Sequence, residues 1–163
     1  MDLPLRVLVS NLSHPHAGFT VCHFKDTKHA PDAPAHFHIV LSLSDNESIV
    51  LCIVTSQMQK LARHYQAATE NDACLNSMVP LDNSVFGFLD RGCVVDCNQA
   101  ELLVITELEK RIDQKYEPAF KIMAHDGQFK GDIKKKIVDG ILNSPVVKGI
   151  VKKRVSHYLD VIQ

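Results

Sequence analysis

Residues 37–56, "FHIVLSLSDNESIVLCIVTS", decide the fold. Two apolar runs rich in Ile, Val and Leu flank a short polar stretch, and such runs fit a pleated, half-buried surface. Asp45 and Asn46 are natural turn residues between them, because short polar side chains bond their own backbone and tolerate left-handed conformations. The stretch therefore predicts a β-hairpin. Outward from it, "LRVLVS" (5–10), "FTVCHF" (19–24) and "CVVDC" (93–97) read as further short strands. Strands at such close spacing imply a small antiparallel sheet or barrel, not alternating β-α units. In the first hairpin strand Phe37, Ile39 and Leu41 take the core face, and His36 and His38 share the opposite face with Val40 and Ser42.

Helical patterns interrupt and follow the strands. "SQMQKLARHYQAA" (56–68) places Met58, Leu61, Ala62 and Tyr65 on one stripe, with Ser56 able to cap it. "VPLDNSVFGFLDRG" (79–92) reads as a loop returning to the sheet. "TELE" forms a capping box from Thr106 to Glu109 and predicts a helix over 107–115, ended by "KYEP". Further on, Ile133, Ile137, Ile141 and Leu142 recur at helical spacing, with Lys134, Lys135 and Lys136 turned away. Asn143 and Ser144 precede Pro145 and mark a break, because the residue before proline avoids the α region. A second helix follows in "VVKGIVKKRVSHYLDVI". The expected organisation is an α+β chain: a β-domain over 1–117 with a short inserted helix, and a basic helical extension over 118–163.

Composition narrows the classes of function. Hydrophobic content of 45% and charged content of 23% are ordinary for a globular chain. No apolar run reaches the ~20 residues that span a bilayer. The N-terminus carries an acid at position 2 and no small-residue cleavage pattern, so no secretory signal is expected, and the chain is placed in the cytoplasm. Five cysteines, odd in number and without paired CxxC spacing, read as buried thiols in a reducing compartment. The net charge is -1, but residues 130–154 hold eight of the 18 basic side chains and only Asp132 and Asp139 as acids. Such asymmetry suits a phosphate-rich or acidic partner, or simply a solvated helix face. Phosphate-binding glycine loops, HExxH and the GxSxG nucleophile elbow are absent from the sequence. Cys97 lies beside Asp96 and Asn98 with no neighbouring cation in sequence to activate it.

The chemistry centres on His36 and His38, and three readings stand. An HxH pair on a strand can begin a zinc or iron site, completed by His14, His16, His23 or His29. Imidazoles can instead serve as general base and acid in RNA cleavage, with Lys28 or His29 as the nearby cation. Or they are bystanders on a solvent face. Thr55 and Ser56, at the end of an apolar strand, can donate to a phosphate oxygen, or Ser56 merely caps the next helix.

In order and spacing, "GFTVCHF" (18–24), "HFHIVLS" (36–42), "IVLCIVTSQ" (49–57) and "CVVDCNQAELLVITELEKRI" (93–112) resemble the MazF/PemK-like toxin superfamily, small barrel endoribonucleases of toxin–antitoxin systems. The resemblance implies an SH3-like antiparallel β-barrel with added helices, a homodimer and an acidic antitoxin partner. It sets His36 where the family has arginine, and Thr55 and Ser56 where it has its active-site hydroxyl. Gly18-Phe19 replaces the family's acidic-glycine turn. The reading that follows is a metal-independent endoribonuclease without a cofactor. His36, His38, Thr55 and Ser56 form its site, while Lys28, Lys134, Lys135, Lys136, Lys152, Lys153 and Arg154 attract RNA. The alternative is a non-catalytic barrel module that binds RNA or an acidic protein through its basic C-terminal helices.

Overall fold

The computed structural model describes residues 3–68 and 72–162. Three strands form its centre: β1 (Phe19–Phe24), β2 (His36–Ser42) and β3 (Ser48–Thr55). β2 and β3 pair antiparallel without a break, from Ser42 opposite Ile49 to Phe37 opposite Val54. The turn between them uses the expected residues. Asp45 Oδ1 accepts the amides of Glu47 and Ser48 at 3.0 and 2.8 Å, and Asn46 takes a φ of 64°. Asparagine tolerates that left-handed conformation at little cost.

Four shorter strands, β4 (Met78–Leu81), β5 (Cys93–Asp96), β6 (Glu101–Val104) and β7 (Phe120–Ala124), complete an antiparallel sheet in the order β4-β5-β3-β2-β1-β7, with β6 also on β3. The two ends of that path do not pair, so the sheet is open. This overturns the expected SH3-like barrel. The physical reason is burial on both faces: a barrel has one interior, whereas this sheet lies between two apolar layers.

The described residues include five α-helices, α1 (Leu5–Asn11), α2 (Met58–Ala68), α3 (Ile105–Arg111), α4 (Ile133–Asn143) and α5 (Gly149–Val155), and all but α2 supply those layers. On one face, Ile137 and Ile141 of α4 and Val151 and Val155 of α5 join Ile39, Leu41, Val50 and Cys52. On the other, Val9 of α1, Leu12 just after it and Leu108 of α3 join Phe24, Val40, Ile49 and Leu51. Double burial explains why β2 and β3 read as unbroken apolar runs.

Several local expectations change. "LRVLVS" is helix α1, not a strand. The start of the 79–92 loop belongs to β4. Helix α3 begins at Ile105 behind Val104, without a side-chain cap, and ends at Arg111. β7 pairs with β1, and α4 contributes to the main core. The break at Ser144-Pro145 stands where expected, separating α4 from α5. All five cysteines are free and buried. Among the described residues no helix is long and apolar enough to cross a membrane.

A buried ion cluster ties the edge of this assembly together. Arg111 Nη2 and Nε reach both carboxylate oxygens of Asp26 at 2.6 and 3.2 Å, and Nη1 reaches Glu101 at 2.7 Å. Burial would raise Asp26, but the Arg111 guanidinium and the Lys28 amide hold its carboxyl below the ordinary range. Breaking one partner of such a pair strands the other charge. Arg111→Ala should therefore cost about 3–5 kcal/mol in urea unfolding. The double variant Arg111→Met, Asp26→Leu should recover most of that loss.

Candidate functional site

The open end of the central hairpin carries the polar chemistry. β2 begins at His36 and β3 ends at Thr55, one step beyond the Phe37–Val54 pair, so both residues stand at one end of the sheet. β1 runs alongside with His23 opposite Phe37 and Phe24 opposite His36. A cleft of about 320 Å³ opens here, lined by His23, His36, Thr55, Ser56, Gln57 and Arg91 over an apolar floor of Phe37, Val54 and Leu89. The floor is firm. Phe37 packs against His23 at 4.9 Å and against Phe88 at 5.2 Å between ring centroids.

The two imidazoles are half-buried, and both are pushed toward the neutral form. For His23 the cause is burial, followed by the charge of Lys121. For His36 it is burial, then His29, Lys25 and His23, against a weaker opposing hydrogen bond with Pro34. Lys25 itself is buried, its ammonium donating to the Ala30 carbonyl at 2.7 Å. Thr55 Oγ1 accepts the Gln57 amide at 3.1 Å and keeps its own proton to donate. Among the described residues Arg91 pairs with the carboxylate of its exposed neighbour Asp90, through Nε at 3.3 Å, which leaves its Nη groups at the rim. The cleft thus joins two proton-transfer groups, two hydroxyls and the Arg91 guanidinium, the set a phosphoryl oxygen would meet.

The sequence places His36, Thr55 and Ser56 in this cleft through the hairpin register alone. His23, Gln57 and Arg91 are additions. The end of β1 opposite the start of β2 was the signal for His23, whereas Arg91 arrives on a loop without a signature. Ser56, considered as a helix cap, makes no such bond among the described residues, and Thr55 takes the local turn instead. Cys97 is unsuited to nucleophilic attack, since a hydrogen bond with Cys52 and burial push its thiol well above the ordinary value.

The basic residues are less available than their formal charge suggests. Lys134 is bonded to Asp126 at 2.7 Å, Lys135 to Asp139 at 2.9 Å, and Lys136 lies 3.5 Å from Asp132. Arg154 reaches Asp45 in the hairpin turn at 2.7 Å, and Lys28 lies 3.4 Å from Glu101. Lys152 and Lys153 on α5 make no ion pair among the described residues. Nor do three His, Cys, Asp or Glu side chains converge there as a metal shell.

No family model matches the chain, and no curated protein is similar to it. With an open sheet in place of a closed barrel, the resemblance to the MazF/PemK-like superfamily does not hold as a family assignment, and the toxin–antitoxin role drawn from it loses its ground.

His38 lies elsewhere. It is 1% exposed and stacks on Phe24 with ring centroids 4.0 Å apart and planes 13° from parallel. Its Nδ1 lies 3.0 Å from the His36 carbonyl oxygen. Only a recess of about 20 Å³ adjoins it, shared with Lys28, Asp26 and Arg111 and too small for a substrate. The expected solvent face does not exist, because α1 and α3 cover it. Burial holds His38 neutral down to about 3, against opposing attraction from Asp26. The sign follows directly: below its unfolded value near 6.5 the unfolded chain gains a proton that the folded chain refuses. Stability supplied by this residue is whole above that value and falls as pH drops toward 3. His38→Phe should flatten the decline of unfolding free energy between pH 6 and pH 4 by up to about 1.4 kcal/mol per pH unit, read from urea melts.

Proposed function

We propose that the protein is an endoribonuclease that works without a metal ion in the cleft at the open end of the central hairpin. The observation that carries this reading is the convergence of His23, His36, Thr55, Ser56 and Arg91, from four separate parts of the chain, on one cleft. His36, kept toward its neutral form by burial first and then by its neighbours, Lys25 among them, takes the proton of a ribose 2′-hydroxyl. The oxygen attacks the adjacent phosphorus. The bond to the 5′-oxygen breaks, and His23 in its protonated form supplies the leaving group with a proton. The products are a 2′,3′-cyclic phosphate and a free 5′-hydroxyl. Ser56, Thr55 and Arg91 hold the phosphoryl oxygens as charge grows on them. We place this activity in the cytoplasm, where RNA is present and five free thiols stay reduced.

The ion pairing of Lys134, Lys135, Lys136 and Arg154 favours this cleft over the rival module that docks through its basic helices.

Cleavage of single-stranded RNA in EDTA tests the proposal. His36→Ala and His23→Ala should each lower the rate about 10²–10⁴-fold. Arg91→Ala should lower kcat more than it raises KM, because its charge acts on the phosphoryl oxygens as they gain charge. An oligonucleotide with a 2′-deoxy sugar at the cleavage position should resist. Both imidazoles titrate below their ordinary value, so the rate maximum should fall on the acid side of about pH 6.5. Wild-type rates in both histidine variants would remove the assigned roles, and RNA binding without turnover would leave the non-catalytic module.

A further inference from the structure

A second cavity opens at the opposite end of β1 and β2, where β1 begins and β2 finishes. Its volume is about 720 Å³, more than twice that of the histidine cleft. Ligand sites commonly fall within about 300–1,000 Å³. Its floor is fixed by polar groups already paired. Asp126 accepts the Phe19 amide at 2.9 Å and the Lys134 ammonium at 2.7 Å. Ser42 Oγ accepts the Gly18 amide at 2.9 Å, and the Tyr158 hydroxyl donates to the Ser42 carbonyl. Gly18 is required there: its φ is 60°, and a Cβ would stand 2.3 Å from Asp126 Oδ1.

What remains free is a surplus of donors. Among the described residues the His16 ring makes a ring contact with His14 and no hydrogen bond, while its backbone amide donates to His14 Nδ1. His157 donates Nδ1–H to the Arg154 carbonyl at 2.7 Å, so its other nitrogen donates to an anion when the ring is protonated. Lys134 has two protons beyond its bond to Asp126, and Ser44 contributes an exposed hydroxyl. The lining's single carboxylate, Asp126, is paired with Lys134, which offsets its charge within the site. The rest of the wall is apolar: Leu43, Phe129, Val161 and Ile162. A bare anion would leave that wall against water. An anion attached to a flat or apolar body would cover it.

We propose that this cavity binds a phosphate monoester carried on a ring-sized body, a nucleoside monophosphate being the simplest form. The phosphate meets Lys134, His16 and His157, and the ring lies on the Phe129–Ile162 wall. The site shares no residue with the histidine cleft and stands independently of the nuclease reading.

Titration calorimetry of the full chain with AMP, adenosine, ribose 5-phosphate and inorganic phosphate tests it. AMP should bind more tightly than either adenosine or inorganic phosphate, with ribose 5-phosphate between AMP and inorganic phosphate. His16→Ala and His157→Ala, both at exposed positions, should each weaken AMP about tenfold or more. Ser44→Asp, which adds a carboxylate at the exposed mouth without touching the core, should do the same, and His36→Ala should leave AMP binding unchanged. Adenosine equal to AMP would overturn the phosphate contact, and inorganic phosphate equal to AMP would overturn the ring contact. No AMP binding by the wild-type chain, or loss of binding in His36→Ala, would overturn the site itself.

Discussion

Everything in this fold depends on the β2–β3 hairpin being buried twice, once under α4 and α5 and once under α1 and α3. Two covered faces leave no room for exposed polar groups along the strands. Such groups are confined to the strand ends, where the layers stop. His36 and Thr55 stand at one end, and Ser42, bonded to Gly18 and Tyr158, at the other. The two concave sites are therefore not independent accidents of loop shape. They are the places where a doubly covered sheet runs out of cover.

The same constraint decides what could be read from the chain. β1, β2, β3 and β5 were legible because β-branched runs bounded by turn residues have few other uses. Helices α2 and α4 were legible from their apolar spacing. "LRVLVS" misled because two valines among leucines suggest a strand. Yet Leu5, Leu8, Val9 and Leu12 fall at helical intervals, and all four pack on the second face. Had that helix been seen, His38 would have been expected beneath it. The strands β6 and β7 span only four and five residues, and tertiary pairing makes them strands more than their own composition does. Whether the sheet closes is a property of how its margins meet, and no local pattern records it. The candidate cleft was half legible: hairpin register unites His36 with Thr55, whereas Arg91 depends on where a loop happens to return.

Charge shows a similar gap between sequence and space. The segment 130–154 is basic when counted along the chain, yet Asp126 and Asp45 come from outside it to neutralise Lys134 and Arg154. These pairs span different elements and fasten the C-terminal helices to the sheet. Another polar network does related work inside: Asp96 accepts from Tyr65 at 2.7 Å and from Asn98 and Gln99, while Ser144 donates to Asn98 at 2.8 Å. It joins the end of β5 to the end of α4, holding the break at Pro145 against the sheet.

An open sheet has margins, and unpaired backbone along a margin invites a foreign strand to add itself. The outermost strand on one side, β4, carries an exposed proline at position 80, which offers no amide to a newcomer. On the other side β7 sets the exposed ammonium of Lys121 in the line of approach. The chain thus resists fibril-like growth at both borders through one missing hydrogen and one misplaced charge, and it needs no closure to do so.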